Sequence, residues 1–294
     1  MVYIIQKMGV RGLYHYCKGF LKPPDFKNYR IGIDVSSLLY RFHGDFEKIY
    51  EFLKPMLQNK ILFVFDGKAP KYKERELQIR KAAKEIADNR IQLLKDSLTN
   101  LTNPETITLI KKRIHDLELE NYSPSYEVKQ DFKKFLYSKH LTYVKSSGEA
   151  DALLVDLYYN NYIDAVLSND MDYLVAGINT LYIPVKTTLK EVNLKEILEH
   201  EELNLEQFKE VAVLMGIDNN RIFVVDDFGI AASFIRHYGC ISIMKEKMPH
   251  LFSDIIDIYV IKKRYHYTKN ISTYLKPEHK DRLELWKMNL DTSR

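Results

Sequence analysis

Three apolar, β-branched runs of the chain each end on an aspartate: Arg30-Ile31-Gly32-Ile33-Asp34, Ile61-Leu62-Phe63-Val64-Phe65-Asp66 and Ala165-Val166-Leu167-Ser168-Asn169-Asp170. Two acidic pairs accompany them, Glu149 with Asp151 and Asp170 with Asp172. So many carboxylates cannot share one cleft in ionised form without cations, because like charges at close range raise one another's pKa or recruit metal. All-oxygen donors favour Mg²⁺ or Mn²⁺ over zinc, and neither the two cysteines nor the nine scattered histidines offer a zinc set. The chemistry open to these residues is metal-dependent and directed at an anionic substrate.

Basic residues support the second half of that statement. Lys71, Lys73, Arg75, Arg80, Lys81 and Lys84 crowd the segment after Asp66, and Lys73, Arg80 and Lys84 fall on one face of a helix. A second stretch, Lys262-Lys263-Arg264 with Tyr265 and Tyr267, lies near the C-terminus. Cations beside a carboxylate cleft suit a polyanion, and interleaved tyrosines can stack on bases. Either stretch taken alone also reads as a solvated helix face.

Positioning the acids requires a buried sheet. Near-continuous apolar runs separated by long helical segments read as parallel strands covered on both faces, and ligands of such sheets collect beyond the carboxyl ends of the strands. Helices are expected over Val35 to Phe42, Lys71 to about Ser97, Glu105 to Glu120 and Tyr126 to Ser138. Breaks fall at Asn100 to Pro104 and Asn121 to Pro124, and a short strand at Leu141 to Val144. Ser146-Ser147-Gly148-Glu149 matches a capping box, which by itself would make Glu149 a cap; Asp151 two residues on favours a ligand pair. Asp170-Met171-Asp172 alone reads as an Asx turn. After about Val192 the chain is mostly helical, with a helix over Asn204 to Met215 stopped at Gly216.

The 294 residues, 46% hydrophobic with a net charge of +4, suit one elaborated α/β domain or such a domain with a helical appendage. Two distant cysteines point to a reducing, intracellular compartment, and no run approaches membrane-spanning length, so a soluble protein is expected.

Six motifs in order carry a resemblance: Met8-Gly9-Val10-Arg11-Gly12-Leu13, Ile33-Asp34, Val64-Phe65-Asp66-Gly67-Lys68, Gly148-Glu149-Ala150-Asp151, Asp170-Met171-Asp172 and Gly216-Ile217-Asp218. Each is weak, but the ordered set resembles the flap endonuclease family of structure-specific 5′ nucleases, from about Met8 to Gly239. The resemblance implies a PIN-like nuclease core over 1–220, a central mainly parallel sheet flanked by helices, with a helical arch at 71–125. It also implies a helix-hairpin-helix-like DNA-binding region over 221–294, packed on the core.

By the same resemblance, Asp34, Asp66, Glu149 and Asp151 would hold one Mg²⁺ and Asp170, Asp172 and Asp218 would help hold a second, with Mn²⁺ able to substitute. Asp218 is singled out by the resemblance alone. Lys73 and Arg80 match the basic pair that meets the scissile phosphate, and Tyr40 an aromatic that stacks beside the cut. Lys84, Arg236, Lys262, Lys263 and Arg264 are further candidates for DNA contacts. The implied function is cleavage of branched or flapped DNA in replication, repair or recombination, by a monomer in the nucleus or at a site of viral DNA replication. A related ribonuclease and an inactive nucleic-acid-binding scaffold are the alternatives.

Two departures stand out. Seven residues precede Met8, where the family usually begins, so translation starts at Met8 or the extension is routed away from the site. Val224-Val225-Asp226-Asp227-Phe228-Gly229 puts two acids where the family carries a glycine turn, which shifts duplex anchoring to basic residues with little K⁺ requirement. No sliding-clamp peptide is recognisable, and the short chain resembles the compact versions of large DNA viruses.

Overall fold

The computed structural model describes residues 9–10, 12–26, 29–69, 73–216, 225–252, 274–275 and 277–291. Six strands form one sheet: β1 (Arg30–Asp34), β2 (Lys60–Phe65), β3 (Thr142–Lys145), β4 (Ala165–Leu167), β5 (Thr180–Val185) and β6 (Thr188–Asn193). Their spatial order is β3-β2-β1-β4-β5-β6; the first five are parallel and β6 returns antiparallel to β5.

Helices α1 (Leu13–Cys17), α2 (Val35–Arg41) and α3 (Phe46–Leu53) come from the N-terminal part. They are followed by α4 (Glu74–Ser97), α5 (Pro104–Glu120), α6 (Tyr126–Ser138), α7 (Ala150–Tyr159) and α8 (Asp172–Val175). The C-terminal part contributes α9 (Leu194–His200), α10 (Leu205–Met215), α11 (Phe228–Tyr238), α12 (Ile241–Lys247) and α13 (Pro277–Asp291).

The alternation of each strand divides the core in two. Leu62, Val64 and Val166 join α7, α8, α10 and α11 on one face, whereas Ile31, Ile33, Phe63, Phe65 and Leu167 join α2, α3 and α6 on the other. Burial on both faces is why these strands are apolar throughout rather than alternating. Gly32 faces α7: a Cβ there would lie 2.4 Å from Leu154 Cδ2 and 2.7 Å from Ile163 Cδ1, so glycine sets how closely α7 approaches β1. The C-terminal helices share the first core through Ala231, Ile235, Ile241, Met244, Leu283 and Trp286.

Local chemistry starts and stops the helices. Asn103, Ser125 and Asn204 accept hydrogen bonds from first-turn amides of α5, α6 and α10, and Asn204 with Gln207 forms a reciprocal capping box. Asp227 caps α11 by accepting from Ile230 N at 2.9 Å, which gives one of the two acids in the glycine-turn position a structural role. Helices α4 and α5 make an antiparallel arm whose own core among the described residues is Ile91, Ile114 and Leu117, with Leu94, Leu98 and Ile110 against it.

The capping box that Ser146 to Glu149 match in sequence does not form. Helix α7 begins at Ala150, Glu149 in the cap position makes no side-chain cap, and Ser146 Oγ instead accepts from Gly148 N. The orphan amide of Ala150 donates to Asp66 Oδ1 at 2.8 Å, so a carboxylate from β2's end caps α7 across the cleft.

Candidate active site

Asp34, Asp66 and Asp170 sit at or just beyond the carboxyl ends of β1, β2 and β4, three adjacent strands, and Glu149 and Asp151 open α7 above them. Three serines hold the floor. Ser168 Oγ donates to Asp34 Oδ2 at 3.0 Å, Ser36 Oγ donates to Asp66 Oδ2, and Ser37 Oγ accepts from Asn169 N at 2.8 Å. Asp34 also accepts from Ser37 N, and Asp170 Oδ1 from Asp172 N at 2.9 Å, the Asx turn expected there. Loops 66–69 and 146–149 are zipped by Gly67 N to Gly148 O at 2.6 Å and Lys68 N to Ser147 O at 3.0 Å.

The N-terminal motif closes the other side. Gly9, at φ 86°, lies so near that a Cβ would come within 2.6 Å of Asp170 Oδ1 and 2.8 Å of Asp172 Oδ1. Only glycine tolerates both that backbone angle and that approach.

Electrostatics match the crowding. Burial, then the charge of Asp66, pushes the Asp34 carboxyl up to about 7. Burial, then Glu149, pushes Asp151 up to about 6, with Lys73 opposing. Lys73, at the start of α4, forms an ion pair with Glu149 at 2.5 Å. Among the described residues, no three His, Cys, Asp or Glu side chains converge closely enough to hold an ion as they stand. The donors nonetheless fit a hard divalent cation in kind: all are oxygens, and two carboxyls are destabilised as anions by burial and by neighbouring carboxylates.

Arg80 is exposed on α4, seven residues and about 10 Å along the axis from Lys73, and Lys84 is exposed one turn further. Tyr40 is 41% exposed, and its hydroxyl lies 3.3 Å from Ser123 Oγ at the foot of α5. Arg236 points elsewhere: its Nη1 donates to Glu201 O at 2.8 Å and Oε2 at 2.7 Å, next to Tyr16. Asp218, Lys262, Lys263 and Arg264 lie outside the described residues. Sequence reasoning missed Ser36, Ser37 and Ser168, whose only signal is that they stand within three residues of strand-end acids.

A model of the XPG I-region matches residues 140–218, which span β3, α7, β4 and the acids they carry. Flap endonuclease 1-A of Physcomitrium patens is 26% identical over 82% of this chain and 67% of its own length. A probable RAD2-like endonuclease of invertebrate iridescent virus 3 is 22% identical over 90% of this chain and 87% of its own. In sequence the chain is similar to flap endonucleases over most of its length.

Solved structures share the fold of this chain. The catalytic core of Rad2 in complex with DNA substrate superposes with a TM-score of 0.63 over 96% of this chain and 95% of that one, at 15% identity. Flap endonuclease-1 of Methanococcus jannaschii gives 0.57 over 92% and 90%, at 19% identity. The flap endonuclease 1 of Xiphophorus maculatus, 27% identical over 72% of this chain, is matched over 61% of its length, so the chain is shorter than some of its relatives.

Proposed function

We propose that the protein is a structure-specific 5′ nuclease that hydrolyses DNA at junctions bearing a 5′ single strand, leaving a 5′-phosphate and a 3′-hydroxyl. The observation that carries this reading is the meeting of strand-end carboxylates with Lys73, the residue that precedes the long exposed helix α4, at one cleft. Asp34, Asp66, Glu149 and Asp151 would hold one divalent ion, and Asp170 and Asp172, with Asp218, a second. Divalent ions held by these residues would supply an activated water and positive charge opposite the negative charge that develops in phosphodiester hydrolysis.

The remaining roles belong to the chain. Lys73 exchanges Glu149 for a phosphate oxygen, so cation binding to Glu149 and phosphate binding to Lys73 favour each other. Arg80 adds a second positive charge on the same face of α4. Tyr40 offers a ring face beside the foot of the arm for a base next to the cut. The arm itself embraces the 5′ strand, and basic groups such as Lys84 and those of 262–264 bind duplex phosphates. Among the described residues no helix is long and apolar enough to cross a membrane. The working compartment is where DNA is copied, the nucleus or a site of viral DNA replication, and the protein acts as a monomer.

The test is a panel of end-labelled flap, nick, gap, four-way junction and single-stranded DNA in Mg²⁺ and in Mn²⁺. Preferential cutting of substrates with a 5′ single strand is expected. Equal cutting of all five, or cutting undiminished in EDTA, would overturn the proposal.

A further inference from the structure

One polar group at the cleft is used by none of these roles, the hydroxyl of Tyr173. Tyr173 follows Asp172 in α8 and is 2% exposed, within the same apolar cluster as Met171 and Leu174. Its hydroxyl is buried and has no hydrogen-bond partner among the described residues. The carboxylates whose charge acts on it are Asp34, Asp151, Asp170 and Asp66, from three strand ends and the start of α7. A phenylalanine would fill the same apolar space without stranding an O–H, and a buried unbonded hydroxyl is costly. Its place one residue after Asp172, within the field of those carboxylates, accounts for it if its acceptor arrives with the cations.

We propose that Tyr173 is a positioning residue of the metal centre, whose hydroxyl donates to a ligand carboxylate oxygen or an ion-bound water once the carboxylates close on divalent ions. The inference rests on the metal reading above. A tyrosine hydroxyl keeps its proton at neutral pH and can donate it to an oxygen acceptor. Partners that orient ligands from behind are worth about 10–100-fold in metal affinity.

The experiment compares wild type with Tyr173→Phe in the full chain, without DNA, by Mn²⁺ titration followed by electron paramagnetic resonance and by thermal melts with and without Mn²⁺. The variant should melt at or above the wild-type temperature without metal, because an orphan hydroxyl is gone. It should bind Mn²⁺ about tenfold or more weakly. In single-turnover cleavage, the Mg²⁺ concentration for half-maximal rate should rise more than the saturated rate falls. Unchanged Mn²⁺ affinity, with or without a lower melting temperature, would overturn the inference and leave Tyr173 a packing residue. Should the variant fold poorly, 3-fluorotyrosine at position 173 keeps the shape and strengthens the donor; weaker Mn²⁺ binding there would overturn the inference equally. Absence of Mn²⁺ binding by wild type itself would instead overturn the metal centre, and this inference with it.

Discussion

The strand-end cleft and the α4–α5 arm handle charge in opposite ways. In the cleft, carboxylates are fixed on strands packed on both faces, held by serine hydroxyls and backbone amides, and two carboxyls are pushed up by burial and proximity. The arm keeps its charges at the surface, and its described core is three residues. Crowded carboxylates can persist only where rigid packing overrides their repulsion; a grip on a flexible polyanion needs reach and freedom instead. The Lys73–Glu149 ion pair is where the two regimes meet.

The contrast is most easily broken at the cleft. Asp34→Ala or Asp170→Ala should slow single-turnover cleavage at least about a thousandfold, about 4 kcal/mol in the barrier, while circular dichroism and DNA affinity stay near wild type. Turnover within tenfold of wild type in Mg²⁺ would remove these acids from the chemistry.

Next come the residues at the boundary. Lys73→Ala and Arg80→Ala should each lower the saturated rate by about 10²–10³ with little change in substrate Kd, as for groups that act on charge developing in the transition state. Equal losses in rate and affinity would make them ordinary phosphate contacts.

A smaller effect sharpens the cost of burying acids. Asp156, in the middle of α7, is fully buried, neither carboxylate oxygen has a hydrogen-bond partner among the described residues, and burial pushes it up to about 7. A raised carboxyl means that the folded state binds a proton the unfolded chain releases, so stability falls as pH climbs from about 4 towards 7. Asp156→Leu should therefore stabilise the protein, by about 2 kcal/mol more at pH 8 than at pH 5 in denaturant melts. A gain independent of pH would refute the assignment. Asp34 and Asp151 act in the same direction, so divalent ions should raise the melting temperature more at pH 8 than at pH 5.5.

The smallest effects belong to the arm. Ile91→Ala should speed amide exchange in α4 and α5 while changing the global melting temperature by no more than a degree or so, because the arm opens by itself. Global destabilisation of about 2 kcal/mol or more would mean that the arm is part of the folding unit. Lys84→Ala should flatten the log-log salt slope of binding by about 0.9, whereas Arg236→Ala, which removes the ion-pair partner of Glu201 Oε2, should lower stability and leave the slope alone.

Much of the cleft is legible in the chain because a strand buried on both faces writes itself as an apolar run with its first polar residue at the end. Hence Asp34 and Asp66 stand within a residue of their strand ends, and helix α6 spans Tyr126–Ser138 as its periodicity predicts. What is not legible depends on distant partners. Ser146 looks like a helix cap until Asp66, 80 residues earlier, takes that amide-capping role at Ala150. The β5–β6 hairpin gives little signal, since Pro184 interrupts its first strand and the turn uses Lys186 at φ 50° rather than glycine or asparagine. Asp227 resembles a lost glycine turn until its cap on α11 is seen, and the serines under the acids gain meaning only when three strand ends converge.

Both borders of the sheet are occupied by the chain's own segments. At β6, Lys22 and Glu191 exchange both backbone hydrogen bonds, at 3.0 and 2.9 Å. Beyond β3, Ser146 bridges Leu275, Ser147 N donates to Tyr274 O at 2.7 Å, and Arg282 donates to Tyr143 O at 3.2 Å. An open ladder of amides and carbonyls is a template on which another molecule can add a strand, and here each template is interrupted within a residue or two. The protection against edge-to-edge aggregation at β3 is thus supplied by residues 274–282, so shortening the chain before them would cost colloidal solubility and would also release the loop that presents Glu149.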